Sequence, residues 1–172
     1  MINAIVYTSN TGFTKKYAEI LGKEMKIPAY EFKQAKEKIN SKDEIIYMGW
    51  IMAGGIKNYE KAKKKYNIKA VCSIGMSRYN EKQYNEIIER YKIKDKLFYL
   101  QGGYNKESLK GIYKFMMNSL EKIIKSKLEQ KENKTEEELE TLEMMKNGKD
   151  CVKKENLIEI INWINNIYKE DK

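Results

Sequence analysis

The 172-residue sequence contains no histidine and only two cysteines, Cys72 and Cys151. The absence of histidine excludes Ser-His-Asp triads, histidine general bases and every zinc site that needs a histidine ligand. Two cysteines are too few for a disulfide framework, or for a four-cysteine zinc or iron–sulfur site within one chain. Two cysteines without a disulfide pattern are typical of buried or incidental thiols in a reducing compartment, so we predict a cytoplasmic location.

Long apolar runs are also missing from the sequence. No stretch of about 18 apolar residues occurs, which argues against a transmembrane helix. The first residues, MINAIVYTSNTG, lack a basic region and a small-residue cleavage site, so they are interpreted as structure and not as a signal peptide. Hydrophobic residues make up 41% and charged residues 34%, a balance typical of globular proteins. We therefore predict a single domain over residues 1–172.

Acidic residues are fewer than basic ones, 25 against 34, which gives a formal net charge of +9. Such an excess can attract nucleic acid, an anionic membrane or an acidic partner. Only two of the basic residues are arginines, Arg78 and Arg90, and the lysines are spread along the whole chain. Because readers of nucleic acid favour arginine for bidentate contacts, no nucleic-acid partner is expected.

Five short apolar segments alternate with amphipathic helical patterns. The predicted strands are Ile2–Tyr7, Ile27–Phe32, Asp43–Trp50, Ile68–Met76 and Lys96–Gln101. The predicted helices are Lys15–Lys26, Tyr59–Tyr66, Glu81–Tyr91, Lys106–Lys131 and Glu155–Tyr168. This alternation predicts an α/β fold with a doubly wound, five-stranded parallel sheet. Such sheets bind their ligands beyond the carboxyl ends of the strands.

Residues 106–148 exceed what a five-stranded design needs, so we predict a helical insertion after the fifth strand. The insertion starts with a long basic helix, residues 106–131, and continues with an acidic helix that has a capping-box pattern at Thr135. We expect the basic helix to lie outside the ligand pocket and to contact a partner, a substrate or an anionic membrane. The alternative is a helix packed on the sheet with solvated lysines.

Hydroxyl groups are concentrated between the first strand and the first helix. This loop consists of Thr8, Ser9, Asn10, Thr11, Gly12, Phe13 and Thr14. A glycine permits close backbone approach, and the start of a helix offers unpaired N–H groups at the positive end of its dipole. The loop therefore predicts a phosphate site. The alternative is a Ser/Thr-rich turn that caps the helix; Walker A and dinucleotide fingerprints are absent.

The segment IVYTSNTGFTKKYAE resembles the phosphate loop of the flavodoxin family, in which Ser/Thr-x-Thr-Gly-x-Thr precedes the first helix. The matching positions are Ser9, Thr11, Gly12 and Thr14, whereas Asn10 and Phe13 depart from the residues frequent there. The resemblance implies FMN as cofactor and the strand order 2-1-3-4-5. Gln101-Gly102-Gly103-Tyr104, followed by a long basic helix, is similar to the branch that includes menaquinone-dependent protoporphyrinogen oxidases.

In this family the flavin ring lies between the loops after strands three and four. The first loop contains Trp50, Ile51, Met52, Ala53, Gly54 and Gly55, the second contains Gly75, Met76 and Tyr79, and Gly103 follows strand five. Trp50 either stacks on the ring or caps the sheet core, and Tyr79 either covers the other face or is a surface tyrosine. No acidic residue lies between Gly49 and Tyr59, whereas Lys57 does. We expect a bound flavin that is less reducing than in acidic flavodoxins.

The leading hypothesis is an FMN-binding redox protein. It leaves open whether the protein carries electrons to a redox partner protein or acts as an enzyme on a small organic substrate such as a porphyrinogen or a quinone. A third alternative is a binding module that kept the fold and lost the flavin.

Overall fold

The computed structural model of the protein describes residues 1–170, which form eight strands and seven α-helices. The strands are β1 Ala4–Thr8, β2 Ala29–Glu31, β3 Glu44–Met52, β4 Gly55–Ile56, β5 Asn67–Gly75, β6 Lys96–Gln101, β7 Gly103–Tyr104 and β8 Lys149–Asp150. The helices are α1 Phe13–Met25, α2 Phe32–Ala35, α3 Tyr59–Lys63, α4 Glu81–Tyr91, α5 Gly111–Glu129, α6 Glu136–Asn147 and α7 Ile158–Glu170. A 3-10 turn, Lys154–Leu157, precedes α7.

Five of the strands form one parallel sheet in the order β2-β1-β3-β5-β6. These are the five strands predicted from the sequence, so the α/β fold and the order 2-1-3-4-5 are confirmed. The short strand β4 pairs antiparallel with the end of β3. Strands β7 and β8 form a separate antiparallel pair, and α5 and α6 lie between them in the chain as the helical segment added after the fifth predicted strand.

Both faces of the parallel sheet are covered by helices. On one face α1 and α7 pack on the sheet, with Tyr17, Leu21, Ile160 and Ile164 fully buried. On the other face the cover comes from α2, α3 and α4. This arrangement explains the continuous apolar strands, because every strand residue in the centre of such a sheet faces a helix. A third, smaller cluster lies around Tyr104 and Met144 and belongs to the added segment.

Several element boundaries differ from the sequence prediction; helix α1, for example, begins at Phe13 and not at Lys15. Strand β3 continues to Met52 and folds back into β4, so Ile51 and Met52 are strand residues and not loop residues. Helix α5 begins only at Gly111, which has a φ of 53°, whereas the sequence pattern placed its start at residue 106. The four-residue helix α2 was not predicted, since so short a segment has no helical periodicity to detect.

The hydroxyl of Tyr17 ties α1 to two distant segments near the carboxyl edge of the sheet. It donates to the carbonyl of Gln101 at 2.6 Å and accepts from the amide of Asn156 at 2.6 Å. Asn156 in turn donates to the carbonyl of Cys151 at 3.0 Å. The end of β6 and the chain before α7 are thereby held against the first helix.

We predict that Tyr17→Phe lowers the free energy of unfolding by about 1–2 kcal/mol, because the Gln101 carbonyl would lose a buried donor. Tyr79→Phe is the matched control, since the Tyr79 side chain is 58% exposed and should change stability by less than about 0.5 kcal/mol. Urea unfolding of both variants measures the difference. Equal effects would show that the Tyr17 hydroxyl does not tie these segments together.

Candidate functional site

A cavity of about 660 Å³ lies at the carboxyl edge of the parallel sheet. It is bounded by the loops that follow β1, β3, β5 and β6, and by one side of α5. Twelve of the predicted site residues line it: Asn10, Thr11, Phe13, Thr14, Trp50, Ile51, Met52, Ala53, Gly54, Gly75, Met76 and Gly103. Thr8, Ser9, Gly12, Gly55 and Tyr79 are not among its lining residues. The volume is in the range of sites for small molecules and cofactors.

At one end of the cavity, the loop after β1 leads into α1 through Gly12, which has a φ of 98°. Within residues 1–170 no side chain caps the first N–H groups of α1, and its first turn holds no acidic residue. The hydroxyl of Ser9 is buried and has no hydrogen-bond partner in the described chain. Buried polar groups are nearly always satisfied, so this loop has the unused donors that an anion would accept from.

The hydroxyl of Thr8 has a structural role that the sequence did not reveal. It lies 2.9 Å from the hydroxyl of Tyr47 and 3.4 Å from the amide nitrogen of Asn58. Tyr47 itself donates to the carbonyl of Lys57 at 2.5 Å. Thr8 therefore connects β1 to β3 and to the segment before α3, and its side chain is not among the groups around the cavity.

The chain reverses after β3 in a two-residue turn whose residues, Ala53 and Gly54, have φ values of 49° and 71°. Two positive φ values are what a type I′ hairpin turn requires. Arg90 of α4 donates to the Ala53 carbonyl at 3.0 Å. Gly55 faces α4 and not the cavity, because a Cβ there would lie 2.7 Å from the hydroxyl of Tyr91. The packing of Tyr91 therefore explains why position 55 is a glycine, and the approach of a flat ring does not.

Trp50 lies at the cavity wall and contacts α5. Its ring meets the edge of Tyr113 with centroids 5.2 Å apart and planes at 88°. The ammonium group of Lys57 lies 5.9 Å from the Trp50 ring centroid and 5.4 Å from that of Tyr113. Trp50 therefore lines the cavity with a cation close to both aromatic rings, and its stacking on a flavin ring stays a prediction.

Tyr79 does not cover the cavity. Its exposed ring packs against Tyr84 and Tyr99, with centroids 5.5 Å and 6.0 Å apart. Tyr99 lines the cavity instead; its hydroxyl donates to the Ser77 carbonyl at 2.7 Å, and burial raises the pKa of Tyr99 to about 12. The neighbouring Arg78 is also outside the cavity, where it pairs with Glu140 of α6 at 2.7 Å.

Helix α5 forms one wall of the cavity, so the expectation that this helix lies outside the pocket is wrong. It contributes seven lining residues: Tyr113, Phe115, Met116, Met117, Ser119, Leu120 and Ile123. The apolar stripe of α5 was visible in the sequence, but its position at the cavity was not. The stripe itself could have indicated this position. The other helices are enough to cover both faces of the sheet, so one more helix with an apolar stripe must pack somewhere else.

The residues lining the cavity include no aspartate, glutamate, lysine or arginine. Neither thiol lines the cavity, and Cys72 and Cys151 are both buried, which raises the pKa of each thiol above its ordinary value. The described residues also contain no cluster of side chains suited to a metal ion. The polar groups of the lining are therefore mainly hydroxyls, side-chain amides and backbone groups.

Residues 4–131 match the family model described as the flavodoxin domain. The chain belongs to this family. The match covers β1 to the end of α5 and so includes the anion-suited loop and every part of the cavity wall; α6, β8 and α7 lie beyond it. No curated protein and no solved structure gives a significant match. Within residues 1–170, no helix is long and apolar enough to cross a membrane.

We predict that Arg90→Ala lowers the free energy of unfolding by about 1 kcal/mol, because the Ala53 carbonyl loses a charged donor and the turn loses its support from α4. Arg78→Ala is the control: it also removes an arginine contact, but an exposed ion pair contributes little. Chemical denaturation of both variants provides the comparison. An effect of Arg90→Ala no larger than that of an exposed ion pair, up to about 0.5 kcal/mol, would show that the turn does not depend on Arg90.

Proposed function

We propose that this flavodoxin-family protein binds FMN in the cavity at the carboxyl edge of the sheet and functions as a redox protein. The observation that carries the proposal is the combination of a cavity without charged side chains and a helix start with unused donors. A ligand with a flat apolar ring at one end and a phosphate at the other matches both parts. FMN would supply the electron-transfer chemistry that the lining residues lack.

In this proposal the residues of the chain bind and orient the cofactor. The hydroxyls of Thr11 and Thr14, which line the cavity, and the first N–H groups of α1 would hold the phosphate, as helix starts commonly do. The hydroxyl of Ser9 lies outside the lining but, unlike that of Thr8, has no partner in the described chain, so it would be free to donate to the phosphate. The ring would lie against the wall formed by Trp50 to Gly54 on one side and by Gly75 to Ser77 on the other. The apolar residues of α5 would exclude water from the side opposite the phosphate.

The proposal predicts opposite effects of Ser9→Ala on stability and on binding. Without flavin, the variant should be as stable as the wild type or more stable by up to about 1 kcal/mol, because an unpaired buried hydroxyl is removed. With flavin, it should bind FMN about five-fold more weakly, the equivalent of one lost hydrogen bond. Thermal unfolding of the flavin-free protein and flavin-fluorescence titration measure the two quantities.

Riboflavin, which lacks the phosphate, provides the control ligand. Ser9→Ala and Thr11→Ala/Thr14→Ala should reduce the preference for FMN over riboflavin. Thr8→Val should leave this preference unchanged, because the Thr8 hydroxyl is hydrogen-bonded to the Tyr47 hydroxyl. A preference that is unchanged in the first two variants would exclude this loop as the phosphate site. Failure of the wild type to bind either ligand would favour a module that has lost the flavin.

An enzyme that acts on an organic substrate is the second candidate. One specific observation favours it over a simple electron carrier, namely the apolar lining that continues along α5 through Met116, Leu120 and Ile123. This wall would suit a hydrophobic substrate beside the ring, as in the protoporphyrinogen-oxidase branch that the sequence resembles.

A cytoplasmic location stays a prediction from cysteine usage.

Lys57 should tune the reduction potential of bound FMN, because its ammonium group lies close to two aromatic residues at the cavity. We predict that Lys57→Glu lowers the potential by roughly 50 mV, since an anion near the ring opposes the added electron. Lys38→Glu, which makes the same change in net charge on an exposed residue after α2, is the control. Spectroelectrochemical titration measures both; equal shifts would assign the effect to net charge and not to Lys57.

A further inference from the structure

Helix α5 has an apolar band that stays exposed in the described chain and runs along the cavity wall. Ile112, Phe115 and Ile123 are 69%, 72% and 65% exposed, and Met116 and Leu120 are also exposed. These residues are spaced by three or four, so they form one band along the helix. At 1.5 Å per residue, the band from Ile112 to Ile123 is about 16 Å long. Exposed bands of this kind indicate an interaction surface.

The edges of this apolar band carry positive charge. Lys122 follows Phe115 by seven residues and borders the band, and Lys127 follows Ile123 by four residues and extends the band at its C-terminal end. Lys114 and Lys125 are exposed on the same helix. None of these four lysines takes part in the ion pairs found among the described residues. The acidic residue in the middle of the helix, Glu121, is paired with Lys106 at 2.5 Å.

We infer that α5 docks the protein on an anionic lipid surface, with its apolar band in the headgroup boundary and its lysines against the lipid charges. Helices that lie in a membrane interface combine large apolar side chains on one face with lysines on the other. The inference rests on the exposed parts of these side chains, of which Phe115, Met116, Leu120 and Ile123 also line the cavity and Ile112 does not.

Two other occupants fit the surface less well. A second copy of the chain would bring two lysine-edged bands, each part of a molecule with net charge +9, into contact. A ligand inside the cavity would leave Ile112 uncovered, because this residue is not part of the cavity lining. An anionic surface accommodates the whole band and the lysines beside it.

The test is cosedimentation of the full chain with phosphatidylcholine vesicles, either neutral or containing roughly 30% phosphatidylglycerol. In about 0.05 M salt we expect at least ten-fold tighter binding to the anionic vesicles, and a clear loss of that preference in about 0.3 M salt. Ile112→Ser/Phe115→Ser should weaken anionic-vesicle binding about ten-fold, because two apolar side chains no longer insert. Lys122→Gln/Lys127→Gln should weaken it by about five-fold per lysine.

Matched controls change equivalent residues elsewhere on the surface. Ile158→Ser replaces an isoleucine of α7 that is 54% exposed, and Lys36→Gln/Lys38→Gln removes two exposed lysines after α2; both should bind vesicles like the wild type. Far-ultraviolet circular dichroism confirms that each variant is folded. Equal binding to neutral and anionic vesicles, no binding to either, or a dimer that only Ile112→Ser/Phe115→Ser dissociates would overturn the inference.

Discussion

The constraint on which this structure depends is that a parallel sheet must be covered on both faces. Helices α1 and α7 cover one face and α2, α3 and α4 cover the other. Because these five helices complete the cover, α5 and α6 have no sheet face to occupy and pack with Tyr104 and Met144 beside the carboxyl edge. The five covering helices leave the carboxyl edge of the sheet open, and the cavity forms there between the edge loops and α5. The position of the site therefore follows from the way in which the two sheet faces are covered.

The two ends of the cavity differ in chemistry because they come from different kinds of element. At one end the start of α1 contributes backbone N–H groups and hydroxyls, which suit an anion without any charged side chain. At the other end α5 contributes methionine, leucine and aromatic side chains. Lysines such as Lys57 lie outside the cavity lining, so in the proposed complex their positive charge would act on a bound group without contacting it.

The sequence predicted the fold better than the details of the site, for physical reasons that particular residues illustrate. Apolar runs such as that of β5 identify buried strands wherever they occur, and the hydroxyl-rich loop identifies itself by composition. In contrast, Gly55 is a glycine because Tyr91 packs against it, a contact between residues 36 positions apart that no local pattern contains. Tyr79 and Tyr99 could not be distinguished, since only the path of the loop after β5 decides which of them meets the cavity. Strands of two residues, such as β7, are too short to give a periodic signal.

Helix α5 connects the interior site with the outer surface because a helix presents different residues on each side. Tyr113 and Met117 pack towards the small cluster around Tyr104, whereas Ile112 and Phe115 point away from it. Phe115, Met116, Leu120 and Ile123 are exposed and also line the cavity, whereas Ile112 is exposed and does not line it. The apolar surface thus continues from the cavity to the outside of the protein. A hydrophobic molecule that reaches this band from a lipid surface would meet no charged residue of the cavity lining on its way to the edge of the sheet.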